Sequence, residues 1–201
     1  MCLMCELKSE TKYLHVRLMH SKYFQAMLRG NFSLEMYLNE LFGLEVIYSG
    51  IESKIQKYKN TELDFIYENY IYKVSWIRDD ISYFNHEKFN PKEKVIEKAE
   101  KFKEAFCNAL NKNIVESFGY LYILEGSALG TFILKKHVVR KLNLTNDGGT
   151  KFLSNSQIDV KEHWANLKDY VNNNVSAGFK PSVIEEAING FKIINEMYAA
   201  I

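Results

Sequence analysis

The segment GYLYILEGSALGTFILKK, residues 119–136, predicts a long apolar helix that contains two glycines. Gly126 and Gly130 are four positions apart, and each glycine inside a helix costs about 0.5–1 kcal/mol relative to alanine. Residues four apart lie on one helical face, so the pair leaves a strip of backbone bare. Two explanations are open for this strip: close packing against another helix, or room for a flat ligand.

The rest of the sequence predicts further helices and very little strand. Apolar residues recur at intervals of three and four, which is typical of helices with one buried face. A long loop rich in asparagine, glycine and serine is predicted at residues 143–159. We therefore expect an all-α fold of roughly seven or eight helices, in a single domain over residues 1–201. The recurring apolar positions are Leu14 and Leu18; Leu34, Leu38, Leu41 and Leu44; and Ile66, Tyr70, Val74, Ile77 and Ile81.

Three segments carry helix-start signals, in which a polar N-cap residue is followed three positions later by an acidic residue. Both prolines of the chain lie in such segments, where proline is tolerated within the first helical turn. The predicted pairs are Asn90 with Glu93, Thr61 with Asp64, and Ser182 with Glu185.

The composition excludes several classes of protein. The 201 residues are 47% hydrophobic and 25% charged, and 26 basic against 25 acidic residues give a net charge of +1. This balance argues against a nucleic-acid-binding surface, which needs a clustered basic excess. The apolar run around Gly126 is about 15 residues, shorter than the roughly 20 that a bilayer requires, so we expect no membrane span. The first residues lack a secretory signal pattern, and a cytoplasmic location is expected.

Three cysteines are present, and two of them, Cys2 and Cys5, form a C-x-x-C pair. Such a pair can be a redox centre or half of a metal site, but the sequence holds no second C-x-x-C to complete the latter. We expect ordinary reduced thiols at a helix start. The sequence also lacks the G-x-x-x-x-G-K, G-x-S-x-G and H-E-x-x-H motifs.

Among the five histidines, His15 is distinguished by its neighbours. Lys8, Lys12 and His15 follow at intervals of four and three, which places them along one helical stripe. A neutral imidazole is a good iron ligand, and two lysines can pair with two carboxylates. This arrangement suits a ligand with a metal centre and carboxylate arms, although simple solvation of both lysines gives the same pattern.

The segment LYILEGSALGTFILKK resembles the distal-helix signature of heme oxygenases, which in bacterial members contains L-E-G-S-x-L-G. LKSETKYLHVRL, at residues 7–18, resembles the first helix of that family, which carries the axial histidine. The segments at residues 27–52 and 182–198 are similar to the family's second, third and last helices. The resemblance thus covers nearly the whole chain, and it implies a helical fold that holds heme between the first helix and a kinked distal helix.

The resemblance implies that heme is both cofactor and substrate. His15 stands at the position of the axial ligand to the heme iron, and Lys8 and Lys12 stand near the propionates. The implied reaction cleaves heme to biliverdin, ferrous iron and carbon monoxide, with O2 and with electrons from a reductase or a ferredoxin.

On the distal side, the resemblance assigns three catalytic positions: Gly126, Ser127 and Gly130. The glycines would leave room for oxygen at one edge of the ring, and Ser127 replaces an aspartate that orders distal water in mammalian members. Lys135 and Lys136 match a lysine pair that could dock an acidic electron donor; solvation at a helix end is the alternative.

Two other functions remain open from the sequence. One is a protein of the same fold that binds or senses heme without oxidising it. The other is a helical enzyme of the related thiaminase-like fold, which uses a cysteine and carboxylates; Cys107 is the sole cysteine away from the start of the chain.

Overall fold

The structure is a computed structural model that describes residues 2–58, 70, 72–84, 89–145, 148–154 and 159–201. These residues form nine α-helices and no strand, which confirms the all-α prediction. Three short 3-10 turns follow α3, precede α6 and precede α9. The helices are α1 (Leu3–Met19), α2 (Lys22–Arg29), α3 (Leu34–Ile55), α4 (Val74–Tyr83), α5 (Glu93–Lys112), α6 (Phe118–Leu142), α7 (Lys151–Ser154), α8 (Val160–Asn174) and α9 (Lys180–Ala200).

The hydrophobic core is organised around α5 and α9. Helices α3 and α9 both pack along α5, and α9 also lies against α1 and α6. Edge-on ring contacts join α5 to α6 in this core, where Tyr120 lies 5.2 Å from Phe102 and 6.1 Å from Phe106 between ring centroids. Interlocked aromatic side chains of this kind fix the position of α6 at its first two turns.

Helices α6 and α9 cross closely at Gly119. A Cβ atom added to Gly119 would lie 2.6 Å from the backbone nitrogen of Ala187 and from the backbone oxygen of Val183. Because both obstacles are backbone atoms of a packed helix, only glycine allows this separation. Close helix packing is one of two explanations for Gly126 and Gly130, and in α6 it is Gly119 that packs against the backbone of another helix.

A buried carboxyl group joins three helices on the other side of the core. Glu40 of α3 accepts hydrogen bonds from the hydroxyls of Tyr23 in α2 and Tyr198 in α9, the latter at 2.9 Å. Burial raises the pKa of Glu40 to about 7, although both hydrogen bonds act to lower it. This site therefore changes its charge near neutral pH.

Two of the predicted helix starts are wrong in position. The N-cap of α5 is Lys92 rather than Asn90, and the side-chain oxygen of Asn39 accepts the Lys92 N–H at 2.7 Å. Helix α9 begins earlier than predicted, with Phe179 as its N-cap, and the Ser182 hydroxyl donates to the Phe179 carbonyl at 2.9 Å. At the start of α5, the backbone N–H of Lys92 is thus bonded by Asn39 of α3 and not by the predicted N-cap residue Asn90.

The predicted helix over residues 66–81 is only partly confirmed. Thr61, Asp64 and Ile66 lie outside the described residues. Tyr70 is not helical, and α4 begins at Val74. The apolar spacing before Val74 therefore does not correspond to a helix at Tyr70.

The predicted loop at residues 143–159 contains the short helix α7. The buried carboxylate of Asp80 accepts the backbone N–H groups of Lys151 and Phe152 at 2.7 and 2.8 Å. Burial raises the pKa of Asp80 to about 6 against the opposing effect of these bonds. The Tyr37 hydroxyl donates to the carbonyl of Gly149 at 2.9 Å. These contacts come from α3 and α4, so no local pattern predicts the helix.

In the described part of the chain, one helical stretch is long and apolar enough to cross a membrane, Ile114–Leu142. Its most apolar window is 56% buried inside the fold, as expected for the core helix of a soluble protein. Because a core helix passes the same test, the stretch is weak evidence for a membrane span.

Candidate functional site

The predicted proximal and distal residues lie on α1 and α6, at and beyond Thr11 and Tyr122. Thr11 is buried and its hydroxyl donates to the Leu7 carbonyl at 2.7 Å, and Tyr122 is half-buried. One turn further along each helix come His15 in α1 and Gly126 in α6. His15 is exposed to solvent, and so are Ser127, Leu129 and Gly130 of α6, whereas Ala128 and Thr131 are buried.

The exposed part of α6 is unusually apolar. Leu129, Phe132 and Ile133 are 46%, 58% and 58% exposed. The ammonium of Lys136 lies 4.8 Å from the centre of the Phe132 ring, so a cation borders the apolar surface. Large apolar side chains grouped in this way are typical of a binding surface rather than of ordinary solvent-facing helix.

His15 is linked to α6 through an aromatic side chain of α9. The His15 ring meets Phe191 edge-on at 6.2 Å between centroids, and Phe191 lies 6.4 Å from the ring of Tyr122. Lys8 and Lys12 are exposed on the same helix as His15. The structure thus presents all three predicted side chains of α1 to solvent, with His15 oriented by Phe191.

The two predicted glycines of α6 differ in their surroundings. A Cβ atom added to Gly130 would meet no described heavy atom within 4 Å, whereas one added to Gly126 would lie 3.3 Å from Cη2 of Trp164. The Trp164 ring also packs on Tyr122, at 5.7 Å between centroids. The bare strip predicted between the glycines is therefore open at Gly130 and covered by an indole at Gly126.

The hydroxyl of Ser127 is engaged by the protein itself. It donates to the carbonyl of Leu124 at 2.7 Å. The orientation of the Ser127 hydroxyl is therefore set by its own helix.

A buried charge cluster stands directly before Gly126. The ammonium of Lys73 lies 2.7 Å from Oε1 of Glu125, and Nε2 of His163 lies 3.1 Å from Oε2. Burial alone would raise the pKa of Glu125, but the charge of Lys73 and the bond to His163 outweigh it, and the pKa is lowered. Because an ionised carboxylate can only accept, Nε2 of His163 must carry the hydrogen of this bond.

Sequence reasoning missed this cluster and the role of Trp164. One signal was available, because Glu125 interrupts an otherwise apolar helix, and a buried charge needs a partner. The partners Lys73 and His163 are separated from it by 52 and 38 residues, and no spacing rule connects them.

The expectation of reduced thiols at the start of α1 is wrong. Cys2, the N-cap of α1, and Cys5, in its first turn, are joined by a disulfide. Residues three apart on a helix lie on one face, which brings the two sulfurs together. Cys107 is a free, half-buried thiol on α5. Within the described ranges, no group of three or more histidine, cysteine, aspartate or glutamate side chains could hold a metal ion.

The fold is that of solved heme oxygenase structures. The chain is similar to the heme oxygenase from Leptospira interrogans, with a TM-score of 0.83, 20% identity and full coverage of both chains. It is similar to heme oxygenase-1 from Synechocystis in complex with heme, with a TM-score of 0.83 and 19% identity over 98% of this chain and 91% of the other. For heme oxygenase-2 from Synechocystis in complex with heme and NO, the TM-score is 0.85 at 17% identity, over 100% and 85%.

The family comparison covers the chain from end to end. Residues 1–200 match the family described as heme oxygenase. The chain therefore belongs to the heme oxygenase family. A comparison with curated proteins found no match.

Proposed function

We propose that this protein is a heme oxygenase that cleaves heme to biliverdin, ferrous iron and carbon monoxide. The observation that carries the proposal is that His15 is exposed on α1 and linked through Phe191 to Tyr122 of α6, the helix on which Gly130 is bare. Family membership and the two heme complexes of the same fold support it. We also propose that residues 1–201 act as one cytoplasmic domain.

The residues present suit the chemistry of heme. An exposed imidazole is an iron ligand, so His15 would hold the metal. The apolar side chains of Leu129, Phe132 and Ile133 offer a surface for a porphyrin ring, and the empty space at Gly130 lets the ring approach the backbone. Heme supplies the iron and the ring carbon at which oxidation takes place.

The lysines of α1 would orient the ring. Lys8 and Lys12 are exposed, and as flexible cations they can pair with the propionate carboxylates of heme. Holding both propionates would fix the rotation of the ring, and this rotation would decide which meso carbon lies nearest the bare backbone of α6.

The distal helix would exclude side chains from the reacting edge of heme. Gly126 and Gly130 carry none, and the hydroxyl of Ser127 is already bonded to Leu124. We therefore assign Ser127 the role of a fixed polar group that can hold an ordered water from the distal side. The electrons would come from a reductase or ferredoxin, with Lys135 and Lys136 as the basic contact for an acidic donor.

The test is spectroscopic. Hemin added to the purified protein should produce a Soret band, and an electron donor supplied with catalase should replace that band with biliverdin absorption. His15→Ala should weaken the Soret band and slow turnover, whereas His20→Ala, an exposed histidine at the end of the same helix, should change neither. A Soret band that persists with two different donors would identify a heme-binding protein without oxygenase activity, and no Soret band would exclude both functions.

A further inference from the structure

The side chain of Glu125 receives one partner on each carboxylate oxygen, and all three groups are removed from water. Lys73, Glu125 and His163 are 1%, 2% and 11% exposed. Lys73 also lies over the rings of Tyr48 and Tyr70, at 5.1 and 5.3 Å from their centres. A buried charge without a partner is strongly destabilising, so Lys73 and Glu125 must be present together.

The backbone that delivers Lys73 is itself fixed. Oε1 of Glu52 in α3 accepts the N–H groups of Lys73 and Val74, at 2.6 and 3.1 Å. These bonds satisfy two backbone donors at the start of α4, where a helix has no partners of its own. The ammonium of Lys73 therefore reaches Glu125 from a rigid position.

Two consecutive residues of α8 meet two consecutive residues of α6. His163 bonds to Glu125, and Trp164 covers Gly126 with its indole 3.3 Å from the place of a Cβ atom. A shift of α8 that lengthened the first contact would also move the second, because the two side chains belong to neighbouring positions of one helix. The His163–Glu125 hydrogen bond therefore also holds the Trp164 indole in place on Gly126.

The two partners of Glu125 have different tasks. Lys73 supplies a positive charge that favours the ionised form of the buried carboxylate, and His163 supplies an N–H donor to its second oxygen. A charge alone would attract α8 without setting its position, whereas a hydrogen bond between two rigid groups is directional.

We propose that Glu125 is a positioning residue which, through His163, sets the indole of Trp164 over Gly126 and makes Trp164 the wall that limits where a flat ligand lies on α6. The ligand is then confined to the Gly130 end of the helix face, which is open. The part about the ligand rests on the proposed function, whereas the position of Trp164 does not and can be measured in the ligand-free protein.

The first measurement uses the fluorescence of Trp164. The chain has two tryptophans and 13 tyrosines, so Trp76→Phe with excitation beyond the tyrosine absorption band leaves Trp164 as the fluorophore that is observed. In this background, His163→Ala should shift the emission to the red and increase quenching by acrylamide, because α8 loses its bond to Glu125. His163→Gln, whose amide can donate from a position close to Nε2, should restore the emission of the parent protein. Asn166→Ala, an exposed change on α8, is the matched control and should leave the emission unchanged.

The second measurement uses hemin. His163→Ala should bind hemin about tenfold more weakly than the parent, which corresponds to about 1.4 kcal/mol, the order of one buried hydrogen bond. Trp164→Phe keeps the His163 bond but shortens the wall, so the proportions of the biliverdin isomers should change while thermal stability changes little. This variant keeps the proposal testable if His163→Ala fails to fold.

The outcomes separate the two proposals. If the parent protein binds no hemin, the proposed function fails, and the emission of the His163 variants still decides whether Glu125 positions Trp164. If the parent binds hemin but His163→Ala shows the emission and affinity of the parent, Glu125 does not position Trp164. An unchanged isomer distribution in Trp164→Phe refutes the wall. Failure of His163→Gln to restore the emission shows that the histidine ring, rather than its N–H group, holds α8.

Discussion

Replacing Gly130 by alanine should separate the stability of the protein from its binding of heme. A Cβ atom at this position would meet no described atom within 4 Å. Alanine in place of a helical glycine stabilises by about 0.5–1 kcal/mol. For a domain of roughly 150–250 residues this corresponds to a rise in Tm of about 1–4 °C. We expect the ligand-free variant to be more stable than the wild type.

Binding should change in the opposite direction. In the proposed complex, the methyl group of Gly130→Ala stands where the ring approaches the helix, and overpacking of this kind costs about 1–3 kcal/mol. Hemin binding should therefore weaken by about 5- to 150-fold. Gly130→Leu, which fills more of the same space, should abolish turnover. Thermal unfolding of the apoprotein and a Soret titration of the same preparation measure the two effects.

Gly119→Ala is the matched control on the same helix. Its Cβ atom would lie 2.6 Å from backbone atoms of Val183 and Ala187, so the variant should lower Tm. A Gly130→Ala protein that binds hemin as the wild type does would refute the position of the ring. A Gly130→Ala protein less stable than the wild type would refute the presence of open space at Gly130 in the ligand-free protein.

Three further predictions concern charge and redox state. The pKa of Glu40 is raised from 4.5 to about 7, so its contribution to the stability of the fold is fully present below pH 4.5 and is lost as the pH rises through 7. In Glu40→Gln, the free energy of unfolding should therefore fall by about 3 kcal/mol less between pH 4.5 and pH 8 than in the wild type, which urea unfolding at the two pH values measures. Lys73→Met leaves the buried Glu125 without its cation and should lower the free energy of unfolding by about 3–5 kcal/mol. A loss below about 1 kcal/mol, which is typical of a surface ion pair, would contradict the burial of the Lys73–Glu125 pair. Reduction of the Cys2–Cys5 disulfide should destabilise by no more than about 2 kcal/mol because the loop is short, which denaturant unfolding with and without dithiothreitol checks.

Features that depend on local periodicity are predicted well by the sequence. The apolar spacing around Leu34–Leu44 and the length of the segment around Gly126 correspond to α3 and α6. The spacing of Lys8, Lys12 and His15 predicts one helical stripe, and all three side chains are exposed on α1. Local backbone geometry determines these features, so a single sequence contains the information.

Features that depend on contacts between distant residues are not predicted. The start of α5 is decided by Asn39, and helix α7 begins where Asp80 accepts its first N–H groups. The indole that covers Gly126 belongs to a helix 38 residues away in sequence, and no pattern within α6 distinguishes Gly126 from Gly130. The difference between the two glycines therefore comes from a tertiary contact, the packing of Trp164 on Gly126.

Helix α6 is subject to two different constraints along its length. At Gly119 a larger side chain collides with another backbone, whereas at Gly130 it collides with nothing in the ligand-free protein. A library of variants selected only for folding would therefore recover glycine at the first position and tolerate almost any helix former at the second. Only continued selection for function would keep Gly130, because a larger residue there creates no steric clash and does not destabilise the ligand-free fold.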